Sequence, residues 1–240
     1  MKKTILLSSL FAVGAAFAGE VTNANAIAAL DLEVTNTPAQ TLVAVPFEGF
    51  EAGGKVKVND IVKTSNLGNG SKLYVPNAEG TYNTWTLSDG GWVPADQVVI
   101  GKDGTPDEKE GVDSNDVEVD RGSAFWIQPA ATGTIFLLGQ KSEAAGSSTV
   151  KPNAWNMIGN ASPEEKEIGT EFAAASFDQI VVQVDGKLRY YTYKYEKGWR
   201  YQNAEGTWIS ASPRIAAGQG LWYKSAVPAP EGETVRTIAW

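Results

Sequence analysis

The feature that most constrains the fold of this chain is an approximate internal repeat. Residues 71–94 align without gaps on residues 178–201 at an offset of 107, which places Gly91-Trp92 on Gly198-Trp199. Self-similarity of this kind indicates one supersecondary unit that occurs twice. The sequence therefore predicts two copies of a single module.

A second matched block follows at a smaller offset. The pattern Gly-x-x-x-Trp at Gly122 and Trp126 recurs at Gly218 and Trp222, 96 residues later. The two offsets differ by 11, so the first copy carries about eleven extra residues, which fall in the acidic stretch 101–120. Because these tryptophans occur in both copies, we expect Trp126, Trp222 and the pair Trp92 and Trp199 to be core residues.

Local signals within each copy favour strands. Short runs rich in Val, Ile, Thr and aromatic residues alternate with Asp-Gly and Gly-Gly turn signals, of which Asp185-Gly186 is the clearest. Two stretches, Val58–Asn66 and Gly169–Ser176, are instead predicted to form a turn or two of helix, each preceded by a capping residue. We expect a mostly β protein made of two tandem, related β-sandwich or barrel-like lobes, each with one short helix.

The chain is predicted to divide at changes of composition. The Ser/Gly/Ala-rich stretch between the copies is typical of a flexible connection. The predicted parts are a signal peptide (1–18), an N-terminal segment of the mature chain (19–36), a first β module (37–140) with an acidic insert (101–120), a linker (141–153) and a second β module (154–240).

Each copy combines an early apolar strand, a middle rich in Tyr and Gly-Trp, and a closing Gly-x-x-x-Trp strand. This arrangement resembles modules of uncharacterised secreted bacterial surface proteins built of β-rich units. The resemblance covers both copies. It implies an exported β module without an assigned reaction, and it supplies no catalytic residues.

The N-terminus is predicted to be a secretory signal peptide. Lys2 and Lys3 precede an apolar stretch, Ile5–Ala16, and the small-x-small triplet Ala16–Ala18 offers a cleavage site. A second triplet, Ala24–Ala26, leaves the cleavage position open. The sequence has no cysteine and hence no lipoprotein attachment site, so we expect a secreted, periplasmic or cell-surface protein.

The charge of the chain disfavours nucleic acid as a partner. The net charge is −8, and removal of two lysines with residues 1–18 leaves 18 basic against 28 acidic side chains, near −10. Nucleic-acid binding depends on the neutralisation of phosphates by Lys and Arg. We expect glycans or other envelope and matrix proteins as partners, and neither nucleic acid nor a membrane span.

The composition also removes several kinds of catalysis. The chain has no histidine and no cysteine, which excludes Ser-His-Asp and Cys-His nucleophiles and His/Cys zinc sites. Ser148 and Lys151 match Ser-x-x-Lys, but the companion motifs of penicillin-binding proteins are missing. A carboxylate-based glycoside hydrolase needs only two suitably placed acids among 28. We expect no enzyme activity, no cofactor and no catalytic residues.

The acidic insert offers oxygen ligands without a recognised calcium pattern. Asp113, Asn115, Asp116, Glu118 and Asp120 lack the spacing of an EF-hand. A solvated surface loop is the favoured interpretation, and we predict no metal site.

Aromatic residues without a counterpart in the other copy are the candidate ligand contacts. Trp85 falls on Thr192 at offset 107, Trp208 lies outside both matched blocks, and Tyr191, Tyr193 and Tyr195 alternate along one strand and so share a face. Exposed, they would form a binding platform; buried, they would be core. The favoured function is an exported, non-catalytic structural or adhesive protein. The alternatives are a carbohydrate-binding module using these five residues and, less favoured, a glycoside hydrolase.

Overall fold

A computed structural model shows the arrangement of most of the chain. It describes residues 27–34, 40–50, 55–58, 63–64, 67–77, 79–95, 97–100, 106–109, 111, 113–114, 117–142, 146–169 and 175–240. The predicted signal peptide, residues 1–18, lies outside the described residues, as do Asn115 and Asp116 of the acidic insert.

The protein is mostly β, as the sequence predicts. Its strands in chain order are β1 (Ile27–Val34), β2 (Thr41–Ala44), β3 (Val56–Lys57), β4 (Lys63–Thr64), β5 (Lys72–Pro76), β6 (Tyr82–Ser88), β7 (Gly91–Pro94), β8 (Gln97–Ile100), β9 (Pro106–Lys109), β10 (Glu118–Val119), β11 (Ala124–Gln128), β12 (Gly133–Gln140), β13 (Ser147–Val150), β14 (Trp155–Gly159), β15 (Lys166–Glu167), β16 (Gln179–Val184), β17 (Lys187–Lys194), β18 (Gly198–Gln202), β19 (Trp208–Ser210), β20 (Arg214–Ile215), β21 (Gly220–Lys224) and β22 (Arg236–Ala239).

Two large antiparallel sheets dominate the structure. The first large sheet has the order β2-β11-β5-β6-β7, and the second has the order β14-β21-β16-β17-β18-β19. In each, the early apolar strand lies at one edge beside the closing Gly-x-x-x-Trp strand, and a meander follows. The second large sheet differs by its sixth strand, β19, at the opposite edge.

Five shorter sets of strands accompany the large sheets. They are β1-β12-β4, β3-β10, β13-β22, β15-β20 and β8-β9. Buried residues of β1, β3, β10 and β12 join the core of the first large sheet, and buried residues of β13, β20 and β22 join the core of the second. Each large sheet therefore has a core face, which is covered by strands of the smaller sheets, and an outer face on its opposite side.

Strands occur in the predicted N-terminal segment, linker and acidic insert. Strand β13 lies inside the predicted linker and pairs with β22, and β1 lies inside the predicted N-terminal segment and pairs with β12. Within the predicted acidic loop, β9 pairs with β8 and β10 pairs with β3. Strands β1, β10 and β13 are held by partners distant in sequence, which local composition does not reveal, whereas β9 pairs with its neighbour β8.

The two predicted short helices are not confirmed: Val58 is the only described residue of either stretch with helical conformation. Residues 59–62 and 170–174, on which they mainly fall, lie outside that part of the chain. At Lys63–Thr64, within the first predicted helix, the chain forms β4 and pairs with β12. Pairing with a distant strand overrides the weak helical signal there.

Tight turns set the registers of the meanders. Asp185 and Gly186 have φ angles of 50° and 74°, and Val184 pairs with Lys187 across them, which confirms the predicted hairpin. Asp89 and Gly90 form the matching turn between β6 and β7, with φ angles of 49° and 81°. Two residues with positive φ match the right-handed twist of adjoining strands.

The tryptophans shared by the copies have two different environments. Trp92 and Trp199 are buried in the two cores, as predicted. Trp126 and Trp222 are only half-buried, and their rings lie 6.4 Å apart, one on each large sheet. The expectation that Trp126 and Trp222 are core residues is therefore corrected: they project from the outer faces and contact each other where the sheets adjoin.

Four small residues allow the two large sheets to approach closely. Ala44 pairs with Ala124 in the first sheet, and Gly159 pairs with Gly220 in the second. We call these four residues the junction. A Cβ atom on Gly159 would lie 2.0 Å from the Cβ of Ala44, and one on Gly220 would lie 3.0 Å from that of Ala124. Backbone contact between the sheets is possible because the junction has almost no side-chain volume.

Backbone groups around the junction pair across it. The Ala44 amide donates to the Gly218 carbonyl at 2.9 Å, and the Gly159 amide donates to the Gly122 carbonyl at 2.8 Å. Gly122 and Gly218 have φ angles of 85° and 67°, which L side chains rarely adopt. The glycine of each Gly-x-x-x-Trp motif therefore forms the turn that presents its carbonyl to the other sheet.

A Gly159→Ala variant tests the junction. We expect it to lower the unfolding free energy by about 1–3 kcal/mol, because the added methyl overlaps Ala44. Gly91→Ala is the matched control, since its Cβ would meet nothing closer than 3.9 Å. Urea denaturation measures both variants. Adding Ala44→Gly to Gly159→Ala should recover part of the loss; equal stability of the two single variants would contradict the role of the junction.

Candidate functional site

The structure separates the five predicted ligand contacts into core and surface residues. Trp85 is fully buried at 0% exposure, and Tyr191 is 4% exposed. Tyr193 is half-buried and packs against the second core, with its ring 5.4 Å from that of Trp199. Tyr195 and Trp208 are exposed, at 75% and 43%. The predicted shared face therefore belongs mainly to the core.

Trp85 is corrected to a core residue that does have a counterpart. It pairs with Leu73 in the first large sheet, as Tyr191 pairs with Ile180 in the second. Both rings are buried, so the position of Trp85 corresponds to Tyr191 and not to Thr192. Trp85 and Tyr191 present no exposed face to a ligand.

A difference in turn length explains the error. The turn between β6 and β7 has two residues, Asp89 and Gly90, whereas the turn between β17 and β18 has three, residues 195–197. A gapless alignment through the Gly-Trp pair is therefore shifted by one residue in the preceding strand. A shift of one residue exchanges the two faces of a strand.

Tyr195 and Trp208 lie together in one surface depression. It has a volume of about 420 Å³ and is lined by Lys194, Tyr195, Lys197, Arg200 and Trp208. We call these five residues the basic groove. Sequence reasoning identified its two aromatic residues and missed its three cations, whose clustering depends on strand pairing.

The basic groove is built on the edge of the second large sheet that carries β19. Tyr193 and Trp199 point to the core, so by alternation Lys194 and Arg200 point to the outer face. The three-residue turn then brings Tyr195 and Lys197 beside them. Trp208 lies on β19, the strand without a counterpart in the first large sheet.

Contacts within the basic groove orient two of its cations. The Arg200 guanidinium lies 5.9 Å from the centre of the Trp208 ring, and its Nη2 donates to the Trp208 carbonyl at 3.2 Å. The Lys194 ammonium lies 4.4 Å from the centre of the exposed Phe177 ring. Cation–π contacts of this kind contribute roughly 0.5–1 kcal/mol at exposed positions. The groove thus combines an exposed indole with cations of restricted position.

A second depression, of about 270 Å³, lies between the two large sheets and includes Arg121 and Ser148. Its Arg121 and Ser148 side chains are engaged by other groups of the protein. Arg121 donates to the Ala161 carbonyl at 2.7 Å and pairs with Glu48 at 3.5 Å. Ser148 donates to the Gly122 carbonyl at 2.9 Å, which occupies the hydroxyl proton of the predicted Ser-x-x-Lys motif. We interpret these contacts as stabilising the region where the sheets adjoin.

A buried carboxylate organises the opposite side of the second core. Asp178 accepts hydrogen bonds from the Ala226 amide at 2.6 Å, the Ala175 amide at 3.0 Å and the Tyr223 hydroxyl. Arg236 lies 3.8 Å away. Burial, together with the hydrogen bond to Asp178, raises the pKa of Tyr223 above its ordinary range. Because these donors satisfy the oxygens of Asp178, we interpret this residue as one that stabilises the fold.

The chain matches no protein-family model, no curated protein and no solved structure. No helix in the described part of the chain is long and apolar enough to cross a membrane.

Alkaline unfolding tests the buried tyrosine. Because the folded-state pKa of Tyr223 is raised, its contribution to stability is complete below its unfolded pKa of about 10 and is lost as the pH rises above that value. Tyr223→Phe should lower the unfolding free energy by about 1–3 kcal/mol at pH 7, since the Asp178 carboxylate loses a donor.

The same variant should lose less further stability between pH 9 and 11 than the unmodified protein, as measured by urea denaturation. Tyr190→Phe, which changes a largely exposed ring, is the control and should change neither value. A parallel alkaline decline of Tyr223→Phe and the unmodified protein would contradict this assignment.

Proposed function

We propose that this chain is an exported, non-catalytic adhesive protein of the cell envelope or extracellular matrix that binds glycans through the basic groove. The observation that carries the proposal is the exposed Trp208 ring in a depression of about 420 Å³, surrounded by hydrogen-bond donors. Sugar rings have apolar faces and polar edges, and an indole beside charged donors complements both. We infer export from the predicted signal peptide at residues 1–18. We infer a non-catalytic character from the absence of histidine and cysteine.

Two tandem, related lobes form part of the same proposal. The sequence repeat and the common strand order of the two large sheets support it. The relation between Trp85 and Tyr191 supports it further, because each is the buried aromatic residue at the same place in its meander. On this interpretation the first lobe has only the strands common to both lobes. The second lobe adds β19 and with it the binding residue Trp208.

The position of the basic groove suits attachment to a long polymer. It opens on the outer face of the second large sheet, near the edge that carries β19. None of its five lining residues is a carboxylate, so the groove lacks the acid pair on which glycoside hydrolysis depends. Binding without cleavage is the activity that this arrangement favours.

The proposal is tested with Trp208→Ala on a glycan array and by calorimetry with the glycans that bind. Loss of the indole should weaken binding by roughly 5- to 150-fold, since stacking of an aromatic ring is worth about 1–3 kcal/mol. Trp155→Ala is a closely matched control: Trp155 is 44% exposed, close to the 43% of Trp208, and lies on β14 at the opposite edge of the same sheet.

Binding that survives Trp208→Ala, or that Trp155→Ala weakens equally, would contradict the assignment of the basic groove. Absence of binding to every glycan on the array would contradict the function itself. Thermal melting of both variants separates a loss of affinity from a loss of fold.

A further inference from the structure

We infer that the basic groove selects anionic glycans, that is, chains bearing carboxylate or sulfate groups. This inference rests on the proposed glycan-binding function and specifies the class of ligand. It follows from the number, pairing state and placement of the cations around Trp208.

The three cations of the basic groove lack acidic partners. Within the described residues, none of Lys194, Lys197 and Arg200 forms an ion pair. Three of the other four arginines lie beside a carboxylate: Arg121 beside Glu48, Arg214 beside Glu167 and Arg236 beside the buried Asp178. In a chain with a net charge of −8, three unpaired cations around one depression form a local positive field.

Arg200 is placed to read an anionic substituent of a sugar stacked on Trp208. The only hydrogen bond of the Arg200 guanidinium in the described part of the chain runs from Nη2 to the Trp208 carbonyl. Nη1 is therefore left to donate to a ligand. The ring contact with Trp208 holds the guanidinium beside the stacking surface. A carboxylate or sulfate on the sugar would therefore meet Arg200 without displacing an internal acid.

The two lysines lie at the turn end of the β17–β18 hairpin, next to Arg200. Lys194 ends β17 and is held against Phe177, whereas Lys197 is exposed in the turn that leads to β18. Charges at separate points suit a polymer whose negative groups repeat along its length. A neutral polysaccharide would stack on Trp208 and gain little from either lysine.

Nucleic acid also carries repeated negative charges, but the remainder of the molecule opposes it. Nucleic-acid binding depends on many Lys and Arg contacts to phosphate, whereas this site has three in a strongly acidic chain. A single indole with three cations provides one stacking position and a short charged path. These features favour an acidic polysaccharide.

The test is isothermal titration calorimetry of the purified protein with three oligosaccharides of equal length. The probes are a carboxylated oligogalacturonate, a sulfated heparin fragment and a neutral galacto-oligosaccharide. At about 20 mM salt at least one acidic probe should bind roughly tenfold more tightly than the neutral one, and about 200 mM salt should reduce that preference several-fold by screening.

Variants identify the cations responsible. Arg200→Gln and Lys197→Gln should each lower affinity for the acidic probe by roughly three- to tenfold, and by more than they lower any neutral binding. Lys187→Gln, which changes an exposed lysine at the start of β17, is the control and should leave acidic binding unchanged. Melting temperatures establish that each variant is folded.

The possible outcomes separate the two proposals. Equal affinity for neutral and acidic probes would overturn the selectivity and leave glycan binding intact. No binding to any probe, with no binding on the glycan array, would overturn both. Tighter binding of a single-stranded oligonucleotide than of either acidic glycan would overturn the assignment of a glycan ligand.

Discussion

The close contact between the two large sheets is the interaction on which the arrangement of this protein depends. Gly159 and Ala44 approach so closely that one additional methyl group would overlap. Backbone hydrogen bonds to the carbonyls of Gly122 and Gly218 stabilise the contact. The positive φ angles of these two glycines direct their carbonyls towards the other sheet. Small side chains and left-handed glycines are thus the condition for the sheets to adjoin.

The Gly-x-x-x-Trp motif acquires a physical meaning from this contact. Its glycine turns the chain and presents a carbonyl to the other sheet, and its tryptophan emerges on the outer face. Trp126 and Trp222 therefore meet each other, with their rings 6.4 Å apart. The motif recurs because both sides of one interface use it, which differs from the repeated core position that the sequence suggested.

The basic groove lies where the second large sheet departs from the first. The longer turn at residues 195–197 and the additional strand β19 bring Lys197 and Trp208 to one depression. The first large sheet has a two-residue turn and no sixth strand. A small difference in turn length and one added strand account for a surface that the common strand order alone would not produce.

The sequence by itself determined the mostly β character, the hairpin at Asp185-Gly186 and the burial of Trp92 and Trp199. These features follow from local turn chemistry, strand-forming composition and repetition of large apolar residues, which are readable from neighbouring positions. The sequence also identified Trp208 and Tyr195 as candidate contacts, whereas Trp85 was misplaced because a gapless comparison ignored one extra residue.

Only the tertiary structure decided which aromatic residues are exposed, that β1 and β13 pair with distant strands, and that three cations surround Trp208. Pairing between strands far apart in the chain sets which face a side chain occupies, and a shift of one residue reverses that face. No local pattern encodes this register. The physical reason is that strand pairing is a long-range interaction, whereas turns and strand propensity are local.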